Sequence, residues 1–285
     1  MHWVTYSIVA TISLGTAAAL YKIPSNLGHS SLFSTFWANA FAALAVCCGL
    51  LVCGESAQIA FPSTWYALFV GASFASIMAL TKTLMKNIDV GVVFPVTSAL
   101  SAVGTIGTGL VILDERLSLV QTVGVVTILL STYMFTRKGG PFPVNARTAL
   151  LTGSIVTLST FGKYWQRQGV MKDPPTQFLL WQLIASAGFA LLLSVYFERK
   201  RFKEILHVEQ YLRGSGLIGL FTAIGGAAIV QALHRGPMSG VYAIHPSYIL
   251  ISGFLGSLLF NEAFTRKKVL LAVLSVVGVL LVKIG

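Results

Sequence analysis

The chain has 285 residues, 55% of them hydrophobic and 10% charged, with a formal net charge of +11 and a mean hydropathy of +0.79. An ordinary soluble domain carries roughly 25% charged residues, so this composition excludes a soluble globular protein. Apolar stretches near the about 20 residues that cross hydrocarbon fill most of the length, which excludes a separate catalytic, ATP-hydrolysing or nucleic-acid-binding domain and makes the surplus of Lys and Arg a matter of membrane topology.

The predicted spans run over 4–21, 32–53, 65–85, 91–113, 117–136, 147–166, 176–197, 212–233, 240–260 and 266–284. Each is expected to be a helix, because hydrocarbon forces the backbone to satisfy its own hydrogen bonds and these runs lack the alternation of a barrel strand. No Lys or Arg precedes Lys22, so the first segment lacks the basic start of a secretory leader and is read as a retained span. The second carries all three cysteines, Cys47, Cys48 and Cys53, as small apolar residues without disulfide or metal spacing. Breaks fall at Pro24-Ser25-Asn26, Phe61-Pro62-Ser63, Gly139-Gly140-Pro141, Asp173-Pro174-Pro175 and Arg235-Gly236-Pro237. The stretch from Glu198 to Arg213 reads as a charged surface loop.

The second half weakly echoes the first. At an offset of 144, Leu14, Thr16 and Trp37 lie over Leu158, Thr160 and Trp181; at 147, Gly109 lies over Gly256 and Asp114-Glu115 over Asn261-Glu262. Five spans per repeat force the halves into opposite orientations, so the expected fold is an all-α membrane protein of ten transmembrane helices in two inverted five-helix repeats. The repeats would occupy 1–138 and 147–285, joined by a linker over 139–146.

The stretch Ile112-Leu113-Asp114-Glu115-Arg116-Leu117-Ser118 with Gln121 and Gly124 closes the first half, and Leu259-Phe260-Asn261-Glu262-Ala263-Phe264-Thr265 with Gly278 closes the second. Both resemble the motifs that close the halves of EamA-like members of the drug/metabolite transporter superfamily, over nearly the whole chain. The resemblance implies a ten-helix carrier with a central cavity, alternating access and no ATP hydrolysis. One departure is the connection from Gly54 to Thr64, which has no Lys or Arg where many relatives look basic. Small multidrug carriers, which resemble this superfamily, use a carboxylate within the first helix; this first helix has none.

Ionisable groups at membrane depth are costly and are functional candidates by default. All nine acids fall in connections or at span ends, and Glu115 and Glu262 are read as interfacial charges that help start the following helix. Lys82 and Lys163 lie about 6 Å inside their spans, near opposite mouths and with no intramembrane acid beside them, where a lysine stem either snorkels out or meets an anionic solute. Pro95 and Ser98 in the fourth span correspond to Tyr242 and His245 in the ninth, a spacing of three that keeps each pair on one face. Pro95 and Pro246 free backbone carbonyls that a cavity tolerates. His245 is either a satisfied structural histidine or a cavity group that donates and accepts hydrogen bonds. Gln231, Tyr248, Trp37 and Trp181 complete the candidate set, the aromatics serving equally well as packing or interfacial belts.

The sequence therefore points to a multi-pass carrier of a bacterial inner membrane or plasma membrane. It would bind a small metabolite, an amino acid or related anionic or zwitterionic solute, with the lipid bilayer as its other partner and with no catalytic residue, metal or cofactor. Nucleotide sugars, sugar phosphates and drug-like solutes remain alternatives, as does a non-transporting assembly partner or sensor; polar groups facing a wet cavity favour transport. Six Lys and Arg fall on the side of the termini and fourteen on the other, which puts both termini outside the cytoplasm, whereas the resemblance implies cytoplasmic termini. A reporter fused at the C-terminus is expected to follow the charge bias and register outside. A cytoplasmic signal reverses that orientation, and termini on opposite faces defeat the ten-span reading.

Overall fold

A computed structural model describes residues 2–55, 63–85, 90–136, 145–199, 208–260 and 265–284. They form helices α1 (His2–Leu20), α2 (Lys22–Asn26), α3 (Ser31–Val52), α4 (Ser63–Met85), α5 (Val90–Ile112) and α6 (Leu119–Thr136) in the first half. The second half contributes α7 (Ala146–Val170), α8 (Pro175–Phe197), α9 (Val208–Arg235), α10 (Met238–Ile244), a 3-10 turn at His245–Ser247, α11 (Tyr248–Phe260) and α12 (Arg266–Ile284). No strand occurs among the described residues. Among the described residues six stretches are long and apolar enough to cross a membrane: His2–Asn26, Ser31–Val52, Thr64–Met85, Pro175–Phe197, Gly214–Arg235 and Met238–Phe260.

Local chemistry sets the helix starts. Asn145 and Thr148 form a reciprocal capping box on α7, with the Thr148 N–H donating to Asn145 Oδ1 at 2.9 Å and the Asn145 N–H to Thr148 Oγ1 at 3.1 Å. Ser30 accepts from the Phe33 N–H to cap α3, and Pro175 occupies the first turn of α8, where a missing N–H costs nothing. Inside the helices, hydroxyls bond back to the preceding turn: Ser7 to Trp3 O, Thr11 to Ser7 O, Thr97 to Val93 O and Thr105 to Ser101 O. A polar residue can then sit in an apolar segment without seeking a partner outside it.

Four boundaries differ from the sequence reading. Pro24-Ser25-Asn26 belongs to the short helix α2, which continues the line of α1, so the break follows it. Helix α7 runs four residues further, to Val170, because its polar end turns inward and finds partners there. Helix α9 starts at Val208, inside the stretch read as a loop. The ninth span is not one rod: Pro246, which has no N–H to give, sits in the 3-10 turn that separates α10 from α11. The breaks at 61–62 and 139–141 lie outside the described residues.

The halves interlock. Helix α1 packs on α9 and α11, α3 on α8 and α9, α4 on α7 and α8, α5 on α7 and α10, and α6 on α12. The central core gathers Phe178, Leu179, Leu233 and Met238, all buried. Leu119, Val123, Val126 and Leu130 on α6, with Val269, Val273, Val276 and Leu280 on α12, form exposed apolar stripes at helical spacing. Stripes of this kind suit hydrocarbon.

Where α6 meets α12 the backbones touch: a Cβ on Gly124 would lie 2.7 Å from Gly278 O, and one on Gly278 would lie 2.8 Å from Gly124 O. Because both obstacles are backbone atoms, Gly278→Ala is expected to cost about 1 to 3 kcal/mol and to lower the Tm in detergent. Gly153→Ala, at a site where an added Cβ meets nothing within 4 Å, should leave the Tm unchanged; equal behaviour of the two variants removes the close-packing account.

Candidate functional site

Lys163 and Gln166 share one face of α7, a turn apart. Gln166 is buried and links two other helices: its Oε1 accepts from the Tyr242 hydroxyl at 2.5 Å, and its Nε2 donates to Gln182 Oε1 at 3.0 Å. The Lys163 ammonium lies 5.1 Å from the centroid of the Tyr242 ring, within range of a cation–π contact. The Tyr242 ring meets His245 edge-on at 6.0 Å, and His245 lies 5.1 Å from the Tyr248 ring. Tyr248 in turn lies beside Ser98. One polar cluster thus draws on α5, α7, α8, α10 and α11.

The depth follows from the helical rise. Gln182 stands seven residues into α8 and Lys163 seven before the end of α7, about 10 Å from those helix ends. Ser98, Lys163, His245 and Tyr248 are only half-buried. The Lys163 side chain is directed to the Tyr242 ring, which opposes the snorkelling alternative. Among the described residues no carboxylate pairs with Lys163. His245 Nδ1 is buried without a hydrogen-bond partner, and so is Thr160 Oγ1, one turn ahead of Lys163 on α7. Unmet polar atoms near a cation without a carboxylate partner are what a polar ligand or water would satisfy.

Not every candidate joins this cluster. Lys82 is ion-paired with Glu198, which also accepts from the Ser30 hydroxyl. The partner is an acid just past the end of α8, because α4 and α8 run against each other and bring their C-terminal ends together. Trp37 lies in an aromatic group, stacked on Phe41 at 5.6 Å and on Tyr211 at 6.5 Å. Gln231 lines a cavity of about 390 Å³ with His2 and Tyr6 on the α1–α9 face. Trp181 packs partly buried against the central core. Pro95 is in the body of α5, and its side chain lies outside the described residues. Ser98 and His245 both lie against Tyr248.

Glu115 has a different role from the one expected. Asp114 takes a left-handed backbone (φ 51°), and the chain reverses so that Glu115 Oε1 accepts from the Met238 N–H at 2.6 Å and Oε2 from the Ser239 N–H at 2.7 Å. Glu115 therefore caps α10 of the other half and not the following helix. Helix α6 has its own cap, with the Gln121 N–H donating to Ser118 Oγ at 3.1 Å and the Ser118 N–H to Gln121 Oε1 at 3.0 Å. Gly109 makes room, since a Cβ there would lie 2.6 Å from Glu115 Oε2. Glu262, its counterpart in the repeat, lies outside the described residues.

Sequence reasoning missed Gln166 and Gln182. The available signal was an amide three residues after a span-embedded lysine and a second amide seven residues into an apolar helix.

A family model described as the EamA-like transporter family matches residues 1–137 and, separately, residues 149–284. No curated protein matches the sequence. A solved structure described only as the crystal structure of a protein aligns over 98% of this chain and 96% of its own, with a TM-score of 0.80 and 13% identity. At that identity the likeness is one of fold.

Replacing Glu115 by Ala leaves two N–H groups of α10 unmet, at a cost of about 1 to 3 kcal/mol. Glu115→Ala is expected to lower the Tm clearly, Glu115→Gln less, and Arg116→Ala, at an exposed neighbour, not at all. Equal Tm values for Glu115→Ala and Arg116→Ala remove the cap from the account.

Proposed function

Because the chain belongs to the EamA-like transporter family, an integral multi-pass membrane family with two repeats, we propose that it is a secondary carrier of ten spans. Its inverted repeats occupy residues 1–138 and 147–285 and are joined by a linker over 139–146. It would move a small anionic or zwitterionic metabolite, amino acids included, across a bacterial inner membrane or plasma membrane by alternating access. The work is binding and release; the family is one of transporters.

One observation carries the choice of solute: Lys163 holds a positive charge at membrane depth against a tyrosine face with no carboxylate partner among the described residues. A carboxylate entering beside it gains a charge-assisted hydrogen bond. His245 offers the second contact, because its Nδ1 has no partner in the protein. Ser98 and Tyr248 form the wall between α5 and α11, and Tyr242, fixed by Gln166, orients the lysine. Trp37 and Lys82 stand outside this arrangement, and Lys82 is reassigned to the Glu198 pair.

The test has two arms. In a background without the three native cysteines, Ser98→Cys and His245→Cys are expected to react with a water-soluble thiol reagent; failure of both in every state makes the cluster internal packing. In proteoliposomes assayed against a metabolite panel, Lys163→Gln is expected to reduce uptake of the transported solute by about tenfold or more. His245→Phe should impair it more than His245→Gln, which keeps hydrogen-bonding groups. Normal uptake by Lys163→Gln removes the anion reading.

A further inference from the structure

The cluster around Lys163 is one-sided in charge, and its amide and carboxylate acceptors are already taken. Gln166 is committed on both ends of its amide, to Tyr242 and to Gln182. Both carboxylate oxygens of Glu115 are held by the N–H groups of Met238 and Ser239. Glu198, already shared between Lys82 and Ser30, lies about 24 Å along α8 from Gln182. The remaining acids whose side chains are described, Glu55, Asp114 and Asp173, all sit in connections.

An aromatic face is the other common seat for an ammonium group, and here the faces are engaged. The Lys163 ammonium lies over Tyr242, and the Tyr248 ring is set against His245. A second ammonium brought into this space meets the like charge of Lys163 with no carboxylate to offset it, in surroundings that screen poorly. A carboxylate or other oxyanion meets the opposite situation: a cation, an imidazole nitrogen without a partner and the unmet Thr160 hydroxyl.

We infer that the site selects organic anions that carry no ammonium group, so that a simple carboxylate is held in preference to the amino acid of the same skeleton. This rests on the reading of the Lys163–His245 cluster as the substrate site. It narrows that reading from anions and zwitterions to anions alone, with Lys163 as the residue that discriminates.

The test compares compounds that differ only in charged groups, measured by calorimetric binding to the full-length protein in detergent at pH 7.5. One series is 3-phenylpropanoate, phenylalanine and 2-phenylethylamine; the other is 3-methylbutanoate, valine and 2-methylpropylamine. In at least one series the carboxylate is expected to bind about tenfold or more tightly than its amino acid, with no binding of the amine. Lys163→Gln should abolish that advantage and Lys163→Arg should keep it. An amino acid that binds as tightly as its carboxylate, any binding of an amine, or no binding in either series overturns the inference. Labelling of Ser98→Cys from water involves none of these compounds. A labelled Ser98→Cys with a failed preference therefore removes only the narrowing, whereas an unlabelled Ser98→Cys and His245→Cys pair removes the site itself.

Discussion

In hydrocarbon a polar group has no water to fall back on, so each one must find its partner within the protein. That constraint orders this structure. Hydroxyls inside the helices bond to the preceding turn, as Thr97 does to Val93 and Thr105 to Ser101. The first N–H groups of α10 receive a carboxylate from the other half, and the charge of Lys82 receives Glu198. Among the described polar atoms left without a partner are His245 Nδ1 and Thr160 Oγ1, and both belong to the neighbourhood of Lys163, whose charge has no carboxylate partner among the described residues. The candidate site is one place where internal pairing stops.

The same pairings tie the two halves together. Glu115 joins the end of α5 to the start of α10, and the Lys82–Glu198 pair joins the ends of α4 and α8. Both are polar links between surfaces that are otherwise apolar, so each fixes a register that nonspecific apolar contact would leave loose. Asp114 accepts a left-handed backbone to let Glu115 turn back, a conformation that short polar side chains tolerate better than most. Ser118 and Gln121 cap α6 locally, which frees Glu115 for its distant task.

Much of the helical layout was legible in the sequence, because length and apolarity in a membrane protein leave few alternatives to a helix. The errors fall where polar residues continue a helix. The predicted sixth span ends at Gln166, yet α7 persists through Arg167 and Gln168 to Val170, and Gln166 reaches Gln182 and Tyr242. The site was half legible. The spacing of three between Tyr242 and His245 and their match to the fourth span pointed to the right face, and Lys163 stood out as a cation at depth. Lys82 looked equivalent on those grounds, but its partner lies 116 residues away, and no local pattern shows which acid a helix end will meet. Glu115 misled for the same reason.

The interlocking of the halves bears on how the chain reaches this state as it leaves the ribosome. Helix α1 packs on α9 and α11, whose residues begin at Val208. At synthesis rates of about 5 to 20 residues per second, the nearly 200 residues between them take roughly 10 to 40 s to appear. Until then α1 stands in the bilayer with its future contact face, including the small residues Ala10, Ala17 and Ala19, turned toward lipid or toward whatever helix is nearest. The first half of the chain cannot complete these contacts on its own. Its assembly is suspended until the last segments arrive, which makes the small, apolar and weakly self-adhesive surface of α1 as much a requirement of biogenesis as of the finished fold.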